Sequence, residues 1–174
     1  MISALKIKID NTKKVLEAID SLSFNNVLIG VPEKTADKGT DKRVEKRGGK
    51  KIDNATLARI HEYGAPQSGI PPRPFLMPGI ENAQEGCAND LRAGAKETLD
   101  TMKPGAARKA LNNAGLRAAR EVQKMFTDNN WEPLKRPRSK KGRSYRDNNE
   151  KRDNPLLDTG ALRSSITYEI RQGG

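Results

Sequence analysis

The chain has 174 residues, enough for one domain with a sizeable core, and 34% are hydrophobic while 32% are charged. A single cysteine and a single histidine exclude an intramolecular disulfide, a Cys/His metal cluster and any mechanism needing two imidazoles. The formal net charge is +11, and aromatic residues make up only 4%, so a core must come mostly from Leu, Ile, Val and Ala.

The low apolar share points to segments packed poorly alone or only against a partner. The charge is localised. Glu33 to Ile52 hold eight Lys or Arg against four acids, and Lys135 to Arg152 hold nine against two. These two stretches carry the whole net charge and leave the rest of the chain balanced. Two flexible basic loops, at 33–52 and 130–154, on a neutral single domain spanning 1–174 are the expected layout. They suit a polyanion or an acidic partner surface. The start of the chain shows no apolar stretch with a cleavage site, and no run is long enough to span a bilayer. A cytoplasmic site of synthesis and assembly is expected.

In chain order, Leu5, Ile7 and Ile9 alternate with Lys6 and Lys8, the period of a half-buried strand. Asp10 or Asn11 can cap a short helix with Val15, Leu16, Ile19 and Leu22 on one face. Val27 to Val31 is a continuous apolar run, read as a central strand that Pro32 ends. The first basic loop follows. Asp53 or Asn54 then caps a helix whose buried face is either Ala58 and Tyr63 or Leu57 and Ile60, with Gly64 just past its end.

From Pro66 to Pro74 four prolines fall within nine residues, which predicts a stiff, extended connector. Two longer helices come next. The first places Ile80, Ala83, Cys87, Leu91, Ala95, Leu99 and Met102 on one face, and Lys103-Pro104-Gly105 breaks it. The second aligns Ala107, Ala110, Leu111, Ala114, Ala118, Val122, Met125 and Phe126. Alanine-rich faces allow close approach, so an αα-hairpin packed on the sheet is expected. After the second basic loop, Asp158 can cap a turn or two of helix. Ile166, Tyr168 and Ile170 then alternate with Thr167, Glu169 and Arg171 as a closing strand. The predicted fold class is α+β: a small, mainly antiparallel sheet of about three strands against two longer helices, with two long basic loops.

Few residues offer chemistry. His61 reads as an ordinary helix residue, and Cys87, on an apolar helix stripe, reads as a small buried hydrophobe rather than a nucleophile. Asp158-Thr159-Gly160 precedes an amphipathic turn, so capping explains it better than aspartic protease chemistry. No phosphate loop or dinucleotide fingerprint occurs. No catalytic residue, cofactor or metal is expected, and an enzyme is the least favoured class. Trp131 and Tyr145 flank the second basic stretch and could stack on bases, but nothing there supports sequence-specific recognition.

Three segments carry a family resemblance. Gly30-Val31-Pro32 closes an apolar strand. Ala58-Arg59-Ile60-His61-Glu62-Tyr63-Gly64 is followed by Ile70-Pro71-Pro72-Arg73-Pro74-Phe75. Pro155-Leu156-Leu157-Asp158-Thr159-Gly160-Ala161-Leu162 leads through Ser165 and Ile166 into the last strand. In this order and spacing they resemble the tail-completion and neck proteins of long-tailed bacteriophages, a group that includes virion morphogenesis and minor tail proteins. The resemblance covers about a third of the chain and leaves out both basic loops.

It implies a non-enzymatic virion protein, one subunit of a ring, typically six-fold, at the head–tail junction around the DNA path. Expected partners are further copies of the chain, the tail tube or tail terminator protein and the head connector proteins. Tyr63, Ile70, Arg73 and Phe75 are the candidate subunit interface: Arg73 to pair a carboxylate, Phe75 as an apolar anchor. Lys46, Arg47, Lys50, Lys51, Lys135, Arg136, Arg138, Lys140, Lys141 and Arg143 are candidates for non-specific DNA contact or for an acidic partner surface. Other stations in the same neck remain open at this point: tail terminator, head-closure protein or capsid assembly factor. So does a different class, a non-specific nucleic-acid-binding protein.

Overall fold

The computed structural model describes residues 11–23, 25–32, 52–128, 131 and 160–173. In chain order they form α1 (Thr12–Ser23), β1 (Asn25–Gly30), α2 (Asn54–Tyr63), a 3-10 turn (Pro66–Ser68), α3 (Leu76–Thr101), α4 (Pro104–Asp128), α5 (Ala161–Ser165) and β2 (Thr167–Gln172). The fold is α+β. β1 and β2 pair antiparallel from Asn25↔Gln172 to Gly30↔Thr167, and this two-stranded sheet lies on α4.

The α3–α4 hairpin dominates the packing. Met102 turns the chain in the left-handed region (φ 54°), and Pro104 opens α4, where its missing N–H has no intrahelical partner to lose. The helices touch through small residues. A Cβ on Gly79 would lie 2.5 Å from the Val122 Cα, and one on Gly94 would strike the Ala110 Cβ. α4 buries Ala107, Ala110, Ala114, Ala118, Val122 and Phe126 as expected, and adds Gly115 and Ala119. Its other side meets the sheet: the Tyr168 ring lies over Gly115, and the Tyr168 hydroxyl donates to Asn112 Oδ1 at 3.1 Å.

At the open end of the hairpin Phe75, Val122, Phe126, Leu162 and Ile166 form a buried cluster. Phe75 and Phe126 pack with ring centroids 4.7 Å apart and planes tilted by 56°, and Trp131 meets Phe126 edge-on at 6.5 Å. Gln123 Nε2 donates to the Ile166 carbonyl at 2.9 Å, which ties β2 to α4 where the strand begins.

Several expectations change. α1 exists, but its one buried residue is Ala18, while Leu16 and Ile19 are 56% and 44% exposed. The apolar run at Val27–Val31 is not a strand buried on both faces. β1 alternates, with Leu28 outward, because among the described residues α4 covers one face of the sheet. On α3 the expected stripe holds at Ala83, which is buried, but shifts elsewhere: Leu91 and Leu99 face solvent, and Gly79, Gly94 and Thr98 are buried instead. Close helix contact selects residues without bulk there. Two strands are formed among the described residues. The predicted strand at Leu5–Ile9, the cap Asp158 and ten basic candidates (Lys46, Arg47, Lys50, Lys51, Lys135, Arg136, Arg138, Lys140, Lys141, Arg143) lie outside them. No helix of the described residues is long and apolar enough to cross a membrane.

Candidate functional site

α2 begins where Asp53 Oδ1 accepts the Thr56 N–H at 2.6 Å, a bond that also holds the Asp53 carboxyl below its usual range. The helix ends at Gly64, whose φ is 76°. A side chain there would strike the Pro72 nitrogen, so the turn requires glycine. The proline-rich connector is not extended throughout. Ala65 and Ile70 exchange backbone hydrogen bonds at 2.8 and 3.1 Å around the 3-10 turn, and only 71–75 runs on irregularly into α3.

That folding-back places the connector beside the helix it has just left. The Arg73 N–H donates to the His61 carbonyl at 2.6 Å. The Glu62 carboxylate, itself buried, then accepts three backbone N–H groups at the start of α3: Phe75 and Leu76 on Oε2 at 2.8 and 2.9 Å, and Met77 on Oε1 at 3.1 Å. No residue adjoining α3 caps it; Phe75 occupies the cap position without a side-chain bond. Glu62 satisfies these donors from 13 residues upstream and sets a negative charge at the positive end of the helix dipole. Sequence reasoning missed this role. The available signal was a long helix opening on Phe-Leu-Met with no Ser, Thr, Asp or Asn before it.

His61 faces the interior, and its Nδ1 has no hydrogen-bond partner among the described residues. Burial, and then the charge of Arg73, pushes its pKa below the ordinary value. The unfolded chain therefore takes up a proton near pH 6.5 while the folded state resists it. Stability is accordingly expected to fall as pH drops below about 6.5, and His61→Gln should flatten that decline in urea titrations at pH 7.5 and 5.5. Equal slopes in both proteins would show that His61 does not carry the effect. Cys87 is half-buried with Sγ 3.3 Å from the Ala114 carbonyl, and burial raises its thiol pKa, which suits packing rather than attack.

The four candidate interface residues part company. Tyr63 is 73% exposed. Ile70 is half-buried in the turn. Arg73 is only 8% exposed, and its guanidinium has no hydrogen bond or ion pair among the described residues. Phe75 is not a free anchor for a partner, because it is buried against Phe126 in this chain's own core.

Tyr63 and Phe75 nevertheless share a surface. A largely apolar groove of about 200 Å³ is lined by Gly30 and Val31 after β1, by Ala55, Ala58, Arg59, Glu62 and Tyr63 of α2, by Phe75 and Leu76, and by Ile166 before β2. Gly30-Val31, the α2 segment, the segment ending in Phe75 and the one ending in Ile166 are the segments that carry the resemblance. Described residues of each of these segments line the one groove. Among the described residues no group of three or more His, Cys, Asp or Glu could hold a metal ion. Comparison of the chain with protein-family models, with curated proteins and with solved structures gives no match.

Proposed function

We propose that this chain is a structural virion protein of a long-tailed bacteriophage, a ring-forming subunit that completes the tail and joins it to the head connector around the DNA. The observation that carries the reading is the convergence just described. Residues of the segments that resemble tail-completion and neck proteins, from Gly30 to Ile166, line one groove and one helix junction. Their residues serve packing and capping: Glu62 holds a helix start, Phe75 fills the core, and Tyr63 remains on the surface. That division suits an assembly subunit better than a catalyst, whose site would gather acid, base or nucleophile. The two basic stretches supply the charge for DNA in the ring lumen or for acidic neighbours.

The test is cryo-electron microscopy of purified particles, with symmetry imposed only after inspection of the neck. A ring of this chain between head connector and tail tube is the expected result. Absence from the particle, with the protein present only in infected cells, would replace this reading with an assembly factor or a nucleic-acid-binding protein.

A further inference from the structure

Two of the exposed apolar surfaces among the described residues carry opposite charges at their edges. The first is the groove, closed at its floor by Phe75 and Ile166 and edged by Tyr63 and Arg59. At about 200 Å³ it falls below the roughly 300–1,000 Å³ of small-molecule sites. A cavity of about 150 Å³ takes one benzene, so this one fits one or two aliphatic side chains. Arg59 is exposed and has no ion pair among the described residues.

The second surface is the outer face of α1. Leu16 and Ile19 lie one turn apart and exposed, while Ala18 faces the hairpin. Glu17 and Asp20 are exposed beside them and hold no ion pair among the described residues. Lys13 and Lys14 occupy the opposite end of the helix, so its charge is polarised along its length.

We infer that the occupant of the groove is α1 of a second copy, with Leu16 and Ile19 inserted between Tyr63 and the α3 start and with Asp20 or Glu17 against Arg59. α1 does not reach its own groove from where it sits. It leads into β1 at Asn25, whereas the groove lies beyond Gly30, about 17 Å away at strand rise. Its inner side is already packed on α3 and α4. A contact between two different patches of one chain is heterologous, and repetition of it closes a ring or extends a filament. The inference rests on the ring reading above for its setting, and it names the two faces that would meet.

The test uses the full chain with Cys87→Ala, so that introduced thiols are alone. Ile19→Cys and Tyr63→Cys, both at exposed positions, are purified separately, checked for parent-like circular dichroism, then mixed at millimolar concentration and oxidised. The expected result is a disulfide-linked dimer in the mixture well above that of either variant alone. Arg59→Glu should lower its yield, by up to about fivefold for an exposed pair, and Asp20→Arg on the other partner should restore it. A mixture that links no better than the separate variants overturns the inference. Particles separate the two proposals. A neck ring built from chains that do not cross-link keeps the station and removes this contact. Cross-linking by a protein missing from particles keeps the contact and removes the station.

Discussion

Replacing Glu62 by alanine is expected to destabilise the protein by about 3 kcal/mol, a loss near 10 °C in Tm at roughly 2–4 °C per kcal/mol for a chain of this size. The carboxylate accepts three N–H groups, one of them on fully buried Phe75. Alanine leaves these donors without a partner in a place that water reaches poorly, and it removes the charge from the helix terminus. It also releases the polar tie from α2 to the start of α3. Glu62→Gln keeps a single acceptor oxygen and should lose about half as much. Urea denaturation gives the energies, and amide exchange at Phe75, Leu76 and Met77 reports whether the loss is local. An alanine variant within about 1 kcal/mol of the parent would mean that the three bonds are formed just as well to water.

Gly79→Ala should cost about 2 kcal/mol, although alanine is the better helix former by about 1 kcal/mol. The added methyl would sit 2.5 Å from the Val122 Cα and 2.9 Å from its nitrogen. Backbone atoms have no rotamer by which to retreat, so the two helices must separate and the tilted Phe75–Phe126 contact beside them must loosen. Gly105→Ala provides the control. Nothing lies within 4 Å of its added carbon, so the same exchange should stabilise by up to about 1 kcal/mol. Opposite signs in thermal melts support helix contact through glycine; two stabilising results would show that the hairpin has room to spare.

These positions also show what the sequence reveals and what it hides. The hairpin is legible because Lys103-Pro104-Gly105 interrupts two periodic stretches, and the α4 face is legible because its alanines repeat at three and four. The α3 face is misread because its closest contacts are Gly79 and Gly94, which carry no hydrophobic signal at all. The last strand shows itself by alternation. Val27 to Val31 does not reveal its outward Leu28, since an unbroken apolar run looks the same whether one face or two are covered. Glu62 stands in a recognisable motif, yet its task depends on the connector folding back over α2, which no local pattern encodes. The groove is hidden for the same reason. Its residues are visible in sequence as separate segments, and only tertiary pairing brings them to one place.

The pairing of Gly30 with Thr167 carries a kinetic consequence. The α3–α4 hairpin can form from contacts between neighbouring stretches of chain, whereas the sheet must close a loop of more than a hundred residues. The hairpin should therefore form early and the sheet late. Gly30 and Ile166 both line the groove and are brought side by side by that pairing, so the groove is not complete until that late step is. A chain still waiting for its last strand has no receptor surface to offer, and association through this face is withheld from every unfinished subunit.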